Sequence, residues 1–596
     1  MDSKERTMEI NALHAAYRAR SLTPAQCVEQ VLARIAASGR DEVWISRVDA
    51  GALRQTASQL DALLASEGAD VLARLPLFGV PFAVKDNIDV AGMPTTAACP
   101  AFAYTPRRSA TVVERLQAAG AILIGKTNLD QFATGLVGTR SPYGVVRNAI
   151  DEDYVSGGSS SGSAVAVALG LVSFALGTDT AGSGRVPAGL NNIVGLKPTP
   201  GLISTRGVVP ACRTLDCVSV FALTVADSWQ VLSVAGGYDR EDAYSRQIEM
   251  RGVRRRGFRI AVPAQLEFFG DAAAEQAFAA TLDALRARPE CTVGTIDYAP
   301  FRDAAALLYQ GPWVAERLEA SGPLLAEQPE AVHPVVAGIV GQGHDYSALD
   351  AFKGQYRLAE LRRAAEEALA DYDFLLVPTT PTMPRIDAVL EQPVVQNSRL
   401  GYYTNFVNFF DMAALAVPGK GRADGLPAGV TLIGAGGADQ ALAAAAQALL
   451  EGGEAQQVAF EPLPFNEPTV RLAVVGAHLQ GQPLNWQLVE RGARQVAATR
   501  TTPHYRLYAL RNTTPPKPGL ARVLEQGAAI EIEVWELPLR RFGEFVAEIP
   551  QPLGIGSLEL ADGTWVKGFI CEPAALADAE DITAFGGWRA YLGRAS

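Results

Sequence analysis

Histidine is scarce in this chain: there are five in 596 residues, at positions 14, 333, 344, 478 and 504, and none lies between residues 70 and 330. A histidine-based catalytic site could therefore form only if distant segments return to one another. Six cysteines (27, 99, 212, 217, 291, 571) stand far apart, with no C-x-x-C pair and no Cys/His cluster at ligand spacing. That spacing excludes a zinc module and a disulfide scaffold, and predicts buried free thiols in a reducing compartment with no metal and no cofactor. Charged residues are only 19% and the formal net charge is −12. The excess of acid argues against nucleic acid and against an anionic membrane surface as partners. No apolar run reaches the 18 or more residues of a membrane span. The nearest approach, Ala164–Gly177, reads as a buried core helix. The opening Met-Asp-Ser-Lys-Glu-Arg mixes both signs of charge, unlike an export signal, so the expected location is cytoplasmic.

What the chain does have is 48% hydrophobic residues and a length sufficient for several packed domains. Residues 8 to about 70 show apolar positions at helical spacing, with Ser21-Leu22-Thr23-Pro24 as a helix start. Beyond Pro76 come short apolar runs closed by Gly, Pro or polar residues: 78–84, 121–124, 171–176, 374–377 and 429–433. Short buried strands alternating with helices give an α/β class with a largely covered sheet. Gly, Pro and Gln cluster in Glu451–Pro468, which marks a boundary. The expected organisation is a domain over 1–455, a linker over 456–467 and a second module over 468–596. Strand-like stretches at 470–475, 505–510, 530–535, 554–560 and 564–571 give that module an α+β character.

The chemistry concentrates between residues 85 and 185. Gly157-Gly158-Ser159-Ser160-Ser161-Gly162-Ser163 opens a small-residue helix, and Asp179-Thr180-Ala181-Gly182-Ser183-Gly184-Arg185 follows it. Either loop alone is an ordinary cap and turn; two of them bracketing one buried helix gather hydroxyls and free N–H groups in the interior. A serine nucleophile needs a base. His333 or His344 could supply one only by long-range return, and no G-x-S-x-G elbow supports a histidine triad. Lys85 ends an apolar run, where burial could leave its amine neutral; taken alone it would also fit a solvated strand-end lysine.

Together Lys85, the loop around Ser159 and the loop around Ser183 resemble the amidase signature family. Ser183 stands 24 positions after Ser159, as that resemblance requires, and Thr127–Gly135, Gly195–Thr199 and Gly425–Gly434 also match. The resemblance covers about residues 20–450. It implies a large mixed β-sheet covered by helices on both faces, and a Ser–cis-Ser–Lys catalytic set: Ser183 as nucleophile, Ser159 as the bridging cis-serine and Lys85 as base. It further implies an oxyanion turn from the backbone N–H groups of Thr180, Ala181, Gly182 and Ser183. Asp179 and Arg185 read as a supporting ion pair. Gln131 stands where many members carry an acid, which weakens any ammonia-channel role taken from amidotransferase relatives.

Within that family the two-module length, Asn128–Tyr143 and Tyr309–Arg317 look most like the allophanate-hydrolysing branch. That branch implies a small anionic amide as substrate, hydrolysed through a seryl-acyl intermediate to ammonia and carbon dioxide. It also implies Tyr309, Arg317 and Gly135 on the substrate, a homodimer, and a functional link to a separate urea carboxylase. Val474–Asn485 resembles the start of its second domain, of γ-glutamylcyclotransferase type, with His478 as the polar candidate there. Whether that module is catalytic or serves assembly, whether the pathway is urea carboxylation or triazine-ring breakdown, and whether the substrate is another small amide stay open at this point. A rival reading is nucleotide binding, since Gly120-Ala-Ile-Leu-Ile-Gly125-Lys126-Thr127 satisfies G-x-x-x-x-G-K-[ST]. A phosphate loop must follow a strand and open a helix, whereas the pattern here reads helix first and strand second.

Overall fold

The computed structural model describes residues 8–250, 257–450 and 468–593. They fall into two compact units, one from residues 8–249 and 257–450 and the other from 468–593. The expected linker at 456–467 lies outside the described residues.

The first unit is built on an 11-stranded sheet. Its strands are β1 (Trp44–Arg47), β2 (Pro81–Lys85), β3 (Ile122–Thr127), β4 (Phe174–Asp179), β5 (Val194–Lys197) and β6 (Cys217–Ala222), then β7 (Phe258–Pro263), β8 (Cys291–Ile296), β9 (Phe374–Pro378), β10 (Ala413–Pro418) and β11 (Gly429–Gly434). They lie in the order β1-β3-β2-β4-β6-β5-β10-β11-β9-β7-β8. The sheet is mixed: β2 runs parallel to β3 and β4, while β4 and β6 pair antiparallel. Every residue of β2, β3, β4, β6 and β9 is buried, which is why these strands appear in the sequence as unbroken apolar runs rather than alternating ones. Helices carry the rest of the apolar core: Val28, Val31 and Ile35 pack with Ala83, Ala175 and Phe221, and Phe301, Leu308 and Leu361 with Leu375 and Val377. Among the described residues no helix is long and apolar enough to cross a membrane.

Two expectations for this unit need correction. The helix from Pro24 to Ser38 does begin at Thr23, whose hydroxyl accepts from Gln26 N at 3.3 Å. The stretch read as helical to residue 70 nevertheless contains β1, a four-residue strand too short to show a period and fixed by antiparallel pairing with β3. Ala164–Gly177 is not one helix. The helix runs from Ser161 to Ala168, Gly170 turns the chain with φ of 64°, and the remainder enters β4. Uniform hydrophobicity carries no period with which to tell a buried helix from a buried strand.

The nucleotide-binding reading also fails. A helix from Thr111 to Ala118 precedes β3, and Lys126 lies within that strand with its ammonium 2.9 Å from the Asp86 carboxylate. It donates further to Pro94 O and Thr95 Oγ1, so the amine is held inside the protein where no phosphate could reach it.

The second unit holds β12 (Thr469–Val474), β13 (Arg494–Arg500), β14 (Tyr505–Ala509), β15 (Pro518–Arg522), β16 (Glu531–Pro538), β17 (Leu553–Glu559), β18 (Trp565–Cys571) and β19 (Glu580–Asp581). A five-stranded sheet runs β13-β16-β12-β18-β17 and a three-stranded one β15-β14-β19. Leu472, Val474, Ile532, Val534 and Phe569 fill its core, beside the helix Leu539–Ala547.

Candidate active site

Two strand ends and one helix start converge at the neighbouring strands β2 and β4 of the large sheet. β2 ends in Lys85, β4 ends in Asp179, and the helix from Ser161 begins just after the Gly/Ser loop. The serines of that loop are sorted by their partners. Ser160 Oγ donates to Thr178 O at 3.1 Å, Ser163 Oγ to Leu176 O at 2.9 Å, and Ser161 Oγ to Asn128 O at 3.4 Å, so these three stitch helix and strands together. Ser159 alone faces the lysine: Lys85 Nζ donates to Ser159 Oγ and to Thr178 Oγ1, each at 2.7 Å. The Gly158–Ser159 peptide is cis.

Lys85 is fully buried, and burial pushes its ammonium down to about 7 despite the opposing fields of Asp130, Asp179 and Asp216. An amine that gives up its proton near neutral pH is chemically able to accept one from a hydroxyl. Asp130 shapes the same corner. Its carboxylate accepts from the backbone N–H groups of Val137, Gly138 and Arg140, each at 3.0 Å, and its own N–H donates to Ser159 O at 3.1 Å. A Cβ on Gly158 would collide with Asp130 Oδ2, which requires glycine before the cis-serine.

The turn after β4 is held by Asp179. Arg185 grips that carboxylate with Nε and Nη2, both at 2.9 Å, and Gly182 N and Gly184 N donate to it at 2.9 Å. Burial alone would raise the Asp179 carboxyl, but Arg185 holds it below its ordinary value. The supporting ion pair read from the sequence is thus present and sealed. Of the N–H groups expected in the oxyanion turn, that of Gly182 is directed at the Asp179 carboxylate. Gly182 has another reason to be glycine, a φ of 141° and no room for a Cβ against Thr404. Ser183 lies buried on this turn; the structure joins Lys85 to Ser159 directly, and a hydrogen bond onward to Ser183 is not present among the described residues. Asp179→Ala should remove an acceptor from four donors and strand a buried guanidinium. We expect a loss of about 3–5 kcal/mol in unfolding free energy, measured by denaturant titration.

Among the described residues neither His333 nor His344 is hydrogen-bonded to Ser159 or Ser183. His333 Nδ1 caps its own helix by accepting from Val335 N at 3.3 Å, and His344 is exposed. Arg317 and Tyr309 lie on successive helices, Trp313–Glu327 and Ala299–Gln310, yet meet across the break: the guanidinium sits 5.3 Å from the Tyr309 ring centre. Arg317 is 2% exposed, and its Nη1 donates to Thr134 Oγ1 at 3.1 Å. Its Nε has no partner, and among the described residues no carboxylate lies within ion-pair distance. The adjacent Glu316 is turned away to Thr214. Gly135, next to Thr134, is small because Asp130 occupies the space where its side chain would be.

In the second unit His478 is stacked on Phe569 at 4.9 Å, edge-on to Phe545, and its Nε2 meets Gln487 Oε1 at 2.7 Å. Burial pushes its imidazole down to about 4, so the ring is neutral at pH 7. It borders a cavity of about 160 Å³ with Gln487, Lys517 and Glu548 on the wall. Among the described residues no cluster of His, Cys, Asp or Glu is arranged to hold a metal ion.

Sequence reasoning missed Thr178, Asp130, Asp216 and Asn408. Asp130 lies inside a quoted motif but carries no catalytic signature. Asn408, which ties Asp179 O to Leu215 O, comes from 229 residues away and has no local signal at all.

The amidase family pattern matches residues 26–443, and that of the allophanate hydrolase C-terminal domain matches residues 470–593. The urea amidolyase of Lachancea kluyveri is 46% identical over 93% of this chain, and that of Saccharomyces cerevisiae 45% over 93%. Each match takes in 31% of the relative, so the chain spans about a third of the length of these curated proteins. A solved structure of Kluyveromyces lactis allophanate hydrolase is 42% identical, with 99% of each chain covered and a TM-score of 0.87. The chain belongs to the amidase family, with an allophanate hydrolase C-terminal domain following the amidase domain.

Proposed function

We propose that this chain hydrolyses allophanate at its terminal amide. The observation that carries the choice of substrate is Arg317, a buried cation with an unpartnered Nε that no carboxylate of the described residues meets within ion-pair distance. An unpaired buried charge is costly, and a small amide bearing a carboxylate would offset it. A bidentate contact also fixes the substrate's orientation. The allophanate hydrolase and urea amidolyase names of the similar proteins support the same reading, which places a urea-carboxylating activity upstream.

Neutral Lys85 accepts the Ser159 proton as Ser159 accepts that of Ser183, and Ser183 Oγ attacks the terminal carbonyl. The N–H groups of Thr180, Ala181 and Ser183 stabilise the oxyanion. The proton passes back through Ser159 to the departing ammonia, and water then releases the acyl group by the same relay, leaving N-carboxycarbamate. That product must lose carbon dioxide, and the His478 cavity is where we place a role for the second unit. Full-length His478→Ala should release the first ammonia at the normal rate and delay carbon dioxide; simultaneous, undelayed release of both would leave the second unit with assembly alone.

The substrate is tested by ammonia release from allophanate, malonamate and simple aliphatic amides measured side by side. Allophanate should be strongly preferred, and a preference for uncharged amides would overturn the reading. Because the base must be unprotonated, kcat should fall as pH drops through about 7, the value to which burial brings Lys85. A flat profile from pH 5 to 9, with chemistry rate-limiting, would contradict a lysine base.

A further inference from the structure

We propose that Asp216 is a positioning residue for the oxyanion turn, holding Thr180 in place through its hydroxyl, and that the turn works only while this carboxyl is ionised. This rests on the seryl-hydrolase reading above. The antiparallel ladder of β4 and β6 ends with Asp179 opposite Cys217. One step further the chains leave the sheet, and Thr180 and Asp216 continue the pairing through side chains: Thr180 Oγ1 donates to Asp216 Oδ1. The same carboxylate accepts from Ala211 N at 2.8 Å and Cys212 N at 3.2 Å, so all its partners are donors. Asn408 closes the opposite side of this junction by donating to Asp179 O and Leu215 O.

A carboxylate surrounded by donors is replaced poorly by a carboxylic acid: a proton on Oδ2 would face the Ala211 N–H, and a proton on Oδ1 would be accepted by Thr180 Oγ1 only if that hydroxyl reversed its hydrogen bond. Protonation would therefore break or reverse the contact that sets Thr180, whose N–H is one of the oxyanion donors. The charged and titratable groups around Asp216 are Arg317 on the helix Trp313–Glu327, Lys85 on β2, and the thiols of Cys212 and Cys217. Arg317 favours the ionised carboxyl, as do its three hydrogen bonds, but burial outweighs them and brings it up to about 6. Asp216 loses function on the same side of the profile as Lys85: both are protonated as pH falls, the lysine first. Two protons then inactivate the enzyme, so log kcat against pH should steepen from a slope of one toward two below pH 6.

The test uses full-length Asp216→Asn, Thr180→Val and Thr180→Ser, with kcat and KM on allophanate followed from pH 5 to 8. Asp216→Asn and Thr180→Val should lower kcat by up to about 10²–10³-fold, the range for loss of one oxyanion donor, with KM within threefold. Their acid limbs should return to a slope of one, and Thr180→Ser should restore both rate and steepness. If Asp216→Asn does not fold, the Val and Ser pair at Thr180 carries the same comparison. A wild-type limb of slope one shared by all variants would overturn the proposal, as would a raised KM with unchanged kcat, which would assign Asp216 to Arg317 and the substrate. A wild-type enzyme inactive on allophanate would instead refute the substrate reading.

Discussion

Alanine at Ser183, Ser159 or Lys85 is expected to lower kcat on allophanate by on the order of 10⁴-fold or more, and double or triple replacement should cost no more than the worst single one. The reason is that the three side chains move one proton. Lys85 Nζ lies 2.7 Å from Ser159 Oγ with burial holding the amine near neutrality, so neither serine has another base within the described contacts. Both serine replacements delete a single oxygen and should leave stability nearly unchanged. Lys85→Ala leaves a cavity beneath the sheet, so Lys85→Met, which keeps the buried methylenes, is the cleaner variant. Single-turnover ammonia release, with thermal unfolding as a control, decides the matter. A folded Lys85→Met enzyme with near-wild-type rates would end the lysine mechanism; additive losses would mean that the residues act separately.

The readability of this site in the sequence followed from how local each feature is. Lys85 at the end of an apolar run, the Gly/Ser loop before a helix and the glycine-rich turn after β4 are each encoded within about ten residues. The structure then brings Lys85 and Ser159 into contact. In the second unit β12, β14, β16, β17 and β18 follow the apolar runs read from the sequence, because short strands between Gly and Pro turns are also local signals, whereas β13, β15 and β19 are not among those runs. What could not be read is what distance creates. The identity of β1 depends on pairing with β3. The role of Asp130 depends on a loop folding back onto it, and that of Asp216 on the place where two strands part. The Gly182 N–H looked free in sequence because the direction of a backbone N–H is set by its neighbours' side chains, here Asp179. Tyr309 and Arg317 could not be assigned to one face, since Gly311-Pro312 breaks the helix between them. Their contact arises because the break lets the second helix fold back toward the first.

Arg317→Lys should lower kcat/KM for allophanate by about 10²–10³-fold while changing the hydrolysis of a neutral amide of similar size only a few-fold. The lysine keeps the charge, so the prediction concerns shape. A guanidinium can present two parallel N–H donors to a carboxylate while another nitrogen bonds Thr134 Oγ1 and its face rests on Tyr309. An ammonium at the end of a flexible stem can reproduce neither the fork nor the stacking, and once desolvated it can discharge by losing a proton, which arginine does not do. The loss should appear mainly in KM if the carboxylate contact is equally strong in ground and transition states, and in kcat as well if it aligns the terminal carbonyl with Ser183. Tyr309→Phe, which retains the ring beneath the guanidinium, should be much milder than Arg317→Lys. Equal losses on charged and uncharged substrates would make Arg317 a structural residue, and the electrostatic case for an anionic amide would go with it.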